Sequence, residues 1–183
     1  TALFAQWTTQ TNVNTLVASS VSSDMKSIAA VSGKTAIVFW KAVAGPVNYE
    51  LRMQVLDANG QQLLGPDGVL VSNNMSMSTS TAIMRVETDD NENIYIGATG
   101  TNGGVAFAFK MSINGLPLWG ANGLNLGSGY MITIKPLTNG EVLIARNASN
   151  QILYRKYSSA GVPLWPAELQ VTNGSTNNKS PGD

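Results

Sequence analysis

The one dense run of oxygen-bearing side chains is Glu87-Thr88-Asp89-Asp90-Asn91-Glu92-Asn93. Carboxylates and Asn carbonyls are hard ligands suited to calcium, so Asp89, Asp90 and Glu92 are the candidate metal ligands. The run lacks the regular Asp-x-Asp-x-Asp-Gly spacing of calcium loops, which favours a solvated turn over a metal site. Glycoside hydrolysis needs only two carboxyl groups at a suitable separation, and Glu50, Glu87, Glu141 and Glu168 are available for it. Serine is plentiful, but no Gly-x-Ser-x-Gly elbow occurs, and there is no histidine to activate a hydroxyl. Gly100-Thr101-Asn102-Gly103-Gly104 is followed by no Lys-Ser/Thr pair and reads as a loop, not a phosphate cradle. Cysteine is absent as well, which removes disulfides, thiolate nucleophiles and Cys/His zinc sites. No catalytic residue and no cofactor are expected.

Composition narrows the partners further. Eleven basic and eleven acidic residues give a formal charge of zero, so there is no electrostatic case for nucleic acid. Only 12% of residues are charged, a balance that suits an exported, turn-rich β-protein. No apolar run approaches the roughly 20 residues of a membrane-spanning helix. The opening Thr1-Ala2-Leu3-Phe4-Ala5-Gln6 fits the end of a signal peptide as well as it fits an ordinary apolar first strand.

The elements that position these residues repeat. Leu56-Asp57-Ala58-Asn59-Gly60-Gln61-Gln62-Leu63-Leu64-Gly65 is followed by Ser112-Ile113-Asn114-Gly115-Leu116-Pro117-Leu118-Trp119-Gly120. A third copy runs Ser158-Ser159-Ala160-Gly161-Val162-Pro163-Leu164-Trp165-Pro166. Gly60 and Gly115 stand 55 positions apart, Gly115 and Gly161 46. A period near 50 on β-rich units is the signature of a repeat architecture such as a propeller.

Each unit has the same grammar. A short first strand (Ile28 to Val31, Ile83 to Val86, Ile132 to Ile134) leads through a polar turn into a strongly apolar second strand (Thr35 to Trp40, Ile94 to Ala98, Val142 to Ala145). Such short apolar runs fit strands covered on both faces. Third strands follow at Tyr49–Leu56, Val105–Met111 and Gln151–Tyr157; the first of these alternates polar and apolar residues, as a half-exposed strand does. Then come the repeated turn and a fourth strand at Val69–Val71, Leu124–Leu126 and Leu169–Val171. The expected fold is all-β: a partial β-propeller of about three four-stranded antiparallel blades plus an N-terminal strand, with essentially no helix.

The structural repeat positions are Gly60, Gly115 and Gly161 together with Leu64, Trp119 and Trp165. A glycine at the same place in each copy points to a backbone conformation that a side chain would obstruct. The large apolar residues just past the turn, in the columns Leu63/Leu118/Leu164 and Leu64/Trp119/Trp165, are expected to fill the gap between adjacent blades; the alternative is a ring of aromatics stacking on sugars. The sialidase Asp-box, Ser-x-Asp-x-Gly-x-x-Trp, is not matched, because Gly115 falls one place early relative to Ser112.

Gly115-Leu116-Pro117-Leu118-Trp119-Gly120-Ala121-Asn122-Gly123-Leu124, Gly65-Pro66-Asp67-Gly68-Val69 and the run ending Phe39-Trp40 resemble another group. Long secreted proteins of Bacteroidota and related bacteria carry tandem repeats of the form Asn-x-x-Gly-x-x-x-Trp-Gly-x-x-Gly-Val-x-Val. The resemblance covers about residues 27 to 179; the third copy departs from it at Pro166-Ala167-Glu168-Leu169, which is one residue shorter. It implies a β-propeller repeat, export to the outside or outer surface of a bacterium, and often a type IX secretion sorting domain, of which nothing is visible here.

These readings divide the chain into residues 1–26 (end of a signal segment and an N-terminal, ring-closing strand around residues 6–18), blades at 27–80, 81–129 and 130–179, and residues 180–183 as the start of a further repeat. Three blades are fewer than the four to eight of familiar closed rings. The expectation is therefore an N-terminal piece of a longer propeller, or short chains that assemble side by side. The functional expectation is a secreted or cell-surface binding or scaffold module, not an enzyme, that displays loops to a protein or glycan. The alternatives are a carbohydrate-active hydrolase with paired carboxylates near a propeller axis and a structural subunit of a surface assembly.

Overall fold

The computed structural model describes residues 15–19, 22–43, 48–74, 83–100 and 104–171. Its strands are β1 (Ser22–Ala29), β2 (Thr35–Val43), β3 (Asn48–Leu56), β4 (Val69–Ser72), β5 (Ile83–Thr88), β6 (Asn93–Thr99), β7 (Val105–Ser112), β8 (Leu124–Ser128), β9 (Tyr130–Pro136), β10 (Val142–Ala148), β11 (Gln151–Tyr157) and β12 (Leu169–Val171). They form three four-stranded antiparallel sheets, each in simple sequence order: β1-β2-β3-β4, β5-β6-β7-β8 and β9-β10-β11-β12. The first strand of the middle sheet lies against the first strands of both neighbours. Strand meanders set side by side with their first strands innermost are successive blades of a β-propeller. The first sheet begins at Ser22, inside the segment 1–26. Residues 1–14 and 172–183, which include most of the expected N-terminal strand and the start of a further repeat, lie outside the described residues.

The repeated turn is the same object three times. Gly60, Gly115 and Gly161 have φ of 80°, 83° and 79°, the left-handed region that a Cβ disfavours. Each glycine N–H donates to the carbonyl three residues earlier (Asp57, Ser112, Ser158) at 3.0, 3.0 and 2.9 Å. Three residues past each glycine, the N–H of Leu63, Leu118 and Leu164 returns to the third strand, on Val55, Lys110 and Lys156.

Alternation along the strands then builds two cores between three sheets. Val38, Trp40, Leu51 and Met53 of the first sheet meet Met84, Ile94, Ile96 and Phe109 of the second. From the opposite face of the second sheet, Tyr95, Ala106, Ala108 and Trp119 meet Met131, Ile134, Val142 and Ile144 of the third. β6 is thus buried on both faces, as its apolar run required. Gly97 on that strand leaves room for the neighbouring sheet, since a Cβ there would lie 2.7 Å from Met131.

Two expectations need correction. β3 is not half-exposed: Leu51, Met53, Val55 and Leu56 are buried, and so is Gln54. The Gln54 amide is satisfied internally, because Oε1 accepts from the N–H groups of Val55 and Leu64, and Nε2 donates to the Gly65 carbonyl. A polar residue in an alternating pattern was serving the turn instead of solvent. Of the two apolar columns past the turn, the Leu63/Leu118/Leu164 column is exposed and fills no gap.

The far face of the first sheet is covered by residues 15–19. Val17 and Ala18 pack on Ile37, Phe39 and Leu56. Gln62 Nε2 donates to the carbonyls of Leu16 and Val17, Ser19 N–H to the Pro66 carbonyl, and a Cβ on Gly60 would lie 3.4 Å from Thr15.

Candidate functional site

The hairpin between β5 and β6 holds the three acidic candidates, and it sends them to three different places. Asp89 turns inward: Oδ1 accepts from the N–H groups of Asn91 and Asn93, and Oδ2 from Asn93 Nδ2 (2.8 Å) and the Tyr95 hydroxyl (2.9 Å). Burial opposes its charge, but these hydrogen bonds outweigh burial and hold the carboxyl below the ordinary aspartate value. Glu92 reaches sideways to the first sheet, accepting from the Ser32 N–H at 2.9 Å with Lys34 Nζ 3.7 Å away. Hydrogen bonding from Ser32, with the Lys34 charge behind it, lowers its pKa. Asp90 alone stands exposed at the tip. Among the described residues no three Asp, Glu, His or Cys side chains converge on a point where an ion would sit.

Glu92 also occupies the glycine slot of its turn. Its φ is 59°, where Gly33 and Gly140 in the corresponding turns have 78° and 79°. A non-glycine residue in that region is uncommon. The contact with Ser32 and Lys34 is what a glycine could not make.

Beside this hairpin the turn between β9 and β10 closes a cleft of about 200 Å³, lined by Thr88, Asp89, Asp90, Asn91, Pro136, Leu137, Thr138 and Gly140. Its walls are fixed by backbone bonds: Glu92 N–H to Asp89 and Asp89 N–H to Asn93 on one side, Gly140 N–H to Leu137 and Leu137 N–H to Glu141 on the other. Asp90, Asn91 and Thr138 face solvent at its rim. The cleft therefore presents carboxylate, amide and hydroxyl groups on rigid turns, with Pro136 and Leu137 as an apolar floor.

Below the cleft the second and third sheets are latched by polar groups that sequence reading passed over. Trp119 Nε1 donates to the Ser159 carbonyl at 3.0 Å, and Lys110 Nζ approaches the same carbonyl at 3.3 Å. Lys110 is 8% exposed and stands 5.2 Å over the Tyr95 ring, a cation–π contact. Tyr95 meets Trp119 edge to face at 5.8 Å. Burial pushes the Tyr95 hydroxyl well above its usual range, with the Asp89 charge adding to it. Burial likewise lowers the Lys110 ammonium, against the pull of Asp89. The tyrosine is completely buried, so this cluster joins sheets and has no access to a substrate.

Trp119 is thereby placed as packing. The turn glycine of the third sheet sits on it, since a Cβ on Gly161 would be 3.2 Å from both Trp119 and Leu124. A Cβ on Gly115 would likewise meet Val69 at 3.0 Å and Leu64 at 3.5 Å. The four glutamates considered for hydrolysis are dispersed, each beside a cation: Glu50 with Arg52 (2.6 Å), Glu87 with Lys135 (3.0 Å), Glu141 with Lys156 (2.8 Å) and Glu168 with Arg146 (2.7 Å). No helix among the described residues is long and apolar enough to cross a membrane.

No family model matches the chain, and no curated protein matches it. Among solved structures it is similar to prolyl oligopeptidase B from Galerina marginata. A mutant of that protein bound to a 25mer macrocyclization substrate aligns at 12% identity and a TM-score of 0.43, covering 80% of this chain and 19% of that one. The apo protein aligns at 10% identity and a TM-score of 0.40, covering 82% and 20%. The chain thus spans about a fifth of the length of these structures, and its assignment as three propeller blades stands on its own strand topology.

Proposed function

We propose that this chain is a binding or scaffold module whose turn-bearing end presents the cleft between the second and third sheets to a protein or glycan partner. The observation that carries this reading is the cleft itself: rigid turns, and a rim of Asp90, Asn91 and Thr138 whose polar groups face solvent. Preorganised acceptors and hydroxyls over a small apolar floor suit a hydroxyl-rich or peptide ligand. Binding is favoured over catalysis because the four glutamates are tied into ion pairs. The low charge of the chain and its likeness to exported bacterial repeats support a place outside the cell or on its surface, within a longer propeller or an assembly of chains.

An NMR titration of the labelled protein with neutral oligosaccharides and short peptides tests this. Amide shifts should gather at residues 88–91 and 136–140 and vanish in the Asp90→Ala/Thr138→Ala double variant. Perturbations confined to other surfaces, or none with any ligand, overturn the proposal, and hydrolysed oligosaccharide in the tube would favour a carbohydrate-active hydrolase.

A further inference from the structure

The third sheet repeats the latch donors of the second, and no described sheet lies beyond them. Trp165 and Lys156 hold the positions that Trp119 and Lys110 hold one sheet earlier. In the second sheet these two donors converge on the Ser159 carbonyl of the next turn. On the third sheet, Trp165 is half-buried and Lys156 bridges to Glu141 at 2.8 Å. The fourth strands provide an internal control. Val71 and Leu126, each facing the next sheet, are 5% and 9% exposed, whereas Val171, likewise two residues past the start of its strand but paired with Ile152 without the bulge of the other two, is 44% exposed and Leu169 56%.

We propose that this face of the third sheet, formed by Trp165, Lys156, Leu169 and Val171, is a seat for one further repeat sheet. That sheet's turn would place a glycine over the Trp165 ring and, two residues before it, a backbone carbonyl between the Trp165 and Lys156 donors. The occupant follows from continuity with two interfaces of the same geometry, where Gly115 covers Leu64 and Gly161 covers Trp119. A second copy of this chain does not fit without rearrangement, because its leading turn at Gly60 is already covered by residues 15–19. The third sheet is also the polar version of the seat: the first sheet offers Leu64 and Val55, so the occupant is a turn with a free carbonyl, as in Ser158-Ser159-Ala160-Gly161.

The test extends the chain at Asn173 by a duplicate of residues 129–173 and follows the Trp165 indole proton by hydrogen exchange. Protection equal to that of Trp119 is the expected result, together with a Trp165→Ser substitution that lowers the unfolding midpoint far more in the extended protein than in the 183-residue chain. In the duplicate, replacing the turn glycine by valine should return the indole to fast exchange. A duplicate that stays unfolded, a Trp165 proton that still exchanges freely, or a tolerated valine each overturns the proposal. Reversible dimerisation of the 183-residue chain that is abolished by Trp165→Ser would overturn it too, by making a second copy the occupant.

Discussion

Beneath the repeated turn, the seam between the first and second sheets places the aliphatic Leu64 where that between the second and third places the Trp119 indole, with a lysine and a tyrosine beside it, yet the two have one geometry. In the first, Gly115 rests on Leu64 and Val69. In the second, Gly161 rests on Trp119 and Leu124, and the turn carbonyl beside it takes two donors. The turn thus fixes how the sheets approach each other, while the residue beneath it is free to be aliphatic or hydrogen-bonding. A polar seam has to satisfy every group it buries, which explains why Lys110, Tyr95 and Asp89 come with it as a set.

The largest test of that contrast is truncation beneath the turn. Trp119→Ala should cost about 3–5 kcal/mol in urea unfolding, because it opens a cavity and removes one of the two donors on the Ser159 carbonyl, whereas the half-buried Leu64 should cost about 2 kcal/mol or less when replaced by alanine. Equal losses would erase the distinction between the seams. Next come the glycines. Gly115→Ala should destabilise by about 1–3 kcal/mol, backbone strain adding to a Cβ placed 3.0 Å from Val69. Gly33→Ala has the same positive φ but nothing within 4 Å, so thermal denaturation should show a visibly smaller loss there.

A smaller effect probes the polar set alone. Tyr95→Phe removes one of the donors to Asp89 and should cost about 1–2 kcal/mol at neutral pH. The folded Asp89 carboxyl releases its proton more readily than the unfolded one, whose value is 3.8, so its stabilisation is full above that pH and drains away as pH falls through the lower folded value. The phenylalanine variant should show a flatter stability curve in that acid range, and an unchanged curve would mean that the hydroxyl does not hold the charge. Smallest of all, Glu92→Gly trades an ion pair for a relaxed backbone. Its shift in urea midpoint should be slight at low salt and move toward stabilisation near about 1 M salt, where the surface pair is screened and the backbone gain remains.

The repeated turn was legible because φ near 80° strongly favours glycine, so the backbone demand is written directly in residue type. The packing role of Trp119 was legible too, since the corresponding residue in the first unit is the aliphatic Leu64. The turn holding Glu92 was legible as a polar turn, but the role of Glu92 was not: the reason for a charged residue at a glycine position lies in Ser32 and Lys34, about 60 residues and one sheet away. Gln54 and Lys110 were equally opaque, because a polar side chain reads as solvent-facing until the buried carbonyl or amide it serves is known. The cleft has no sequence signature at all, being the space between two turns from different units.

Gly129 joins β8 to β9 alone, with φ of 129°, its N–H on the Gly104 carbonyl, and no space for a side chain, since a Cβ would lie 2.3 Å from the Asn147 carbonyl oxygen. The second and third sheets are spliced by that one residue, whereas ten residues, 73–82, separate β4 from β5. Inserted cargo such as an epitope tag or a fluorophore peptide therefore has no slack to occupy between β8 and β9. At the single-residue splice the same insertion would pry two sheets apart, and under a pulling force those two sheets should yield as one piece.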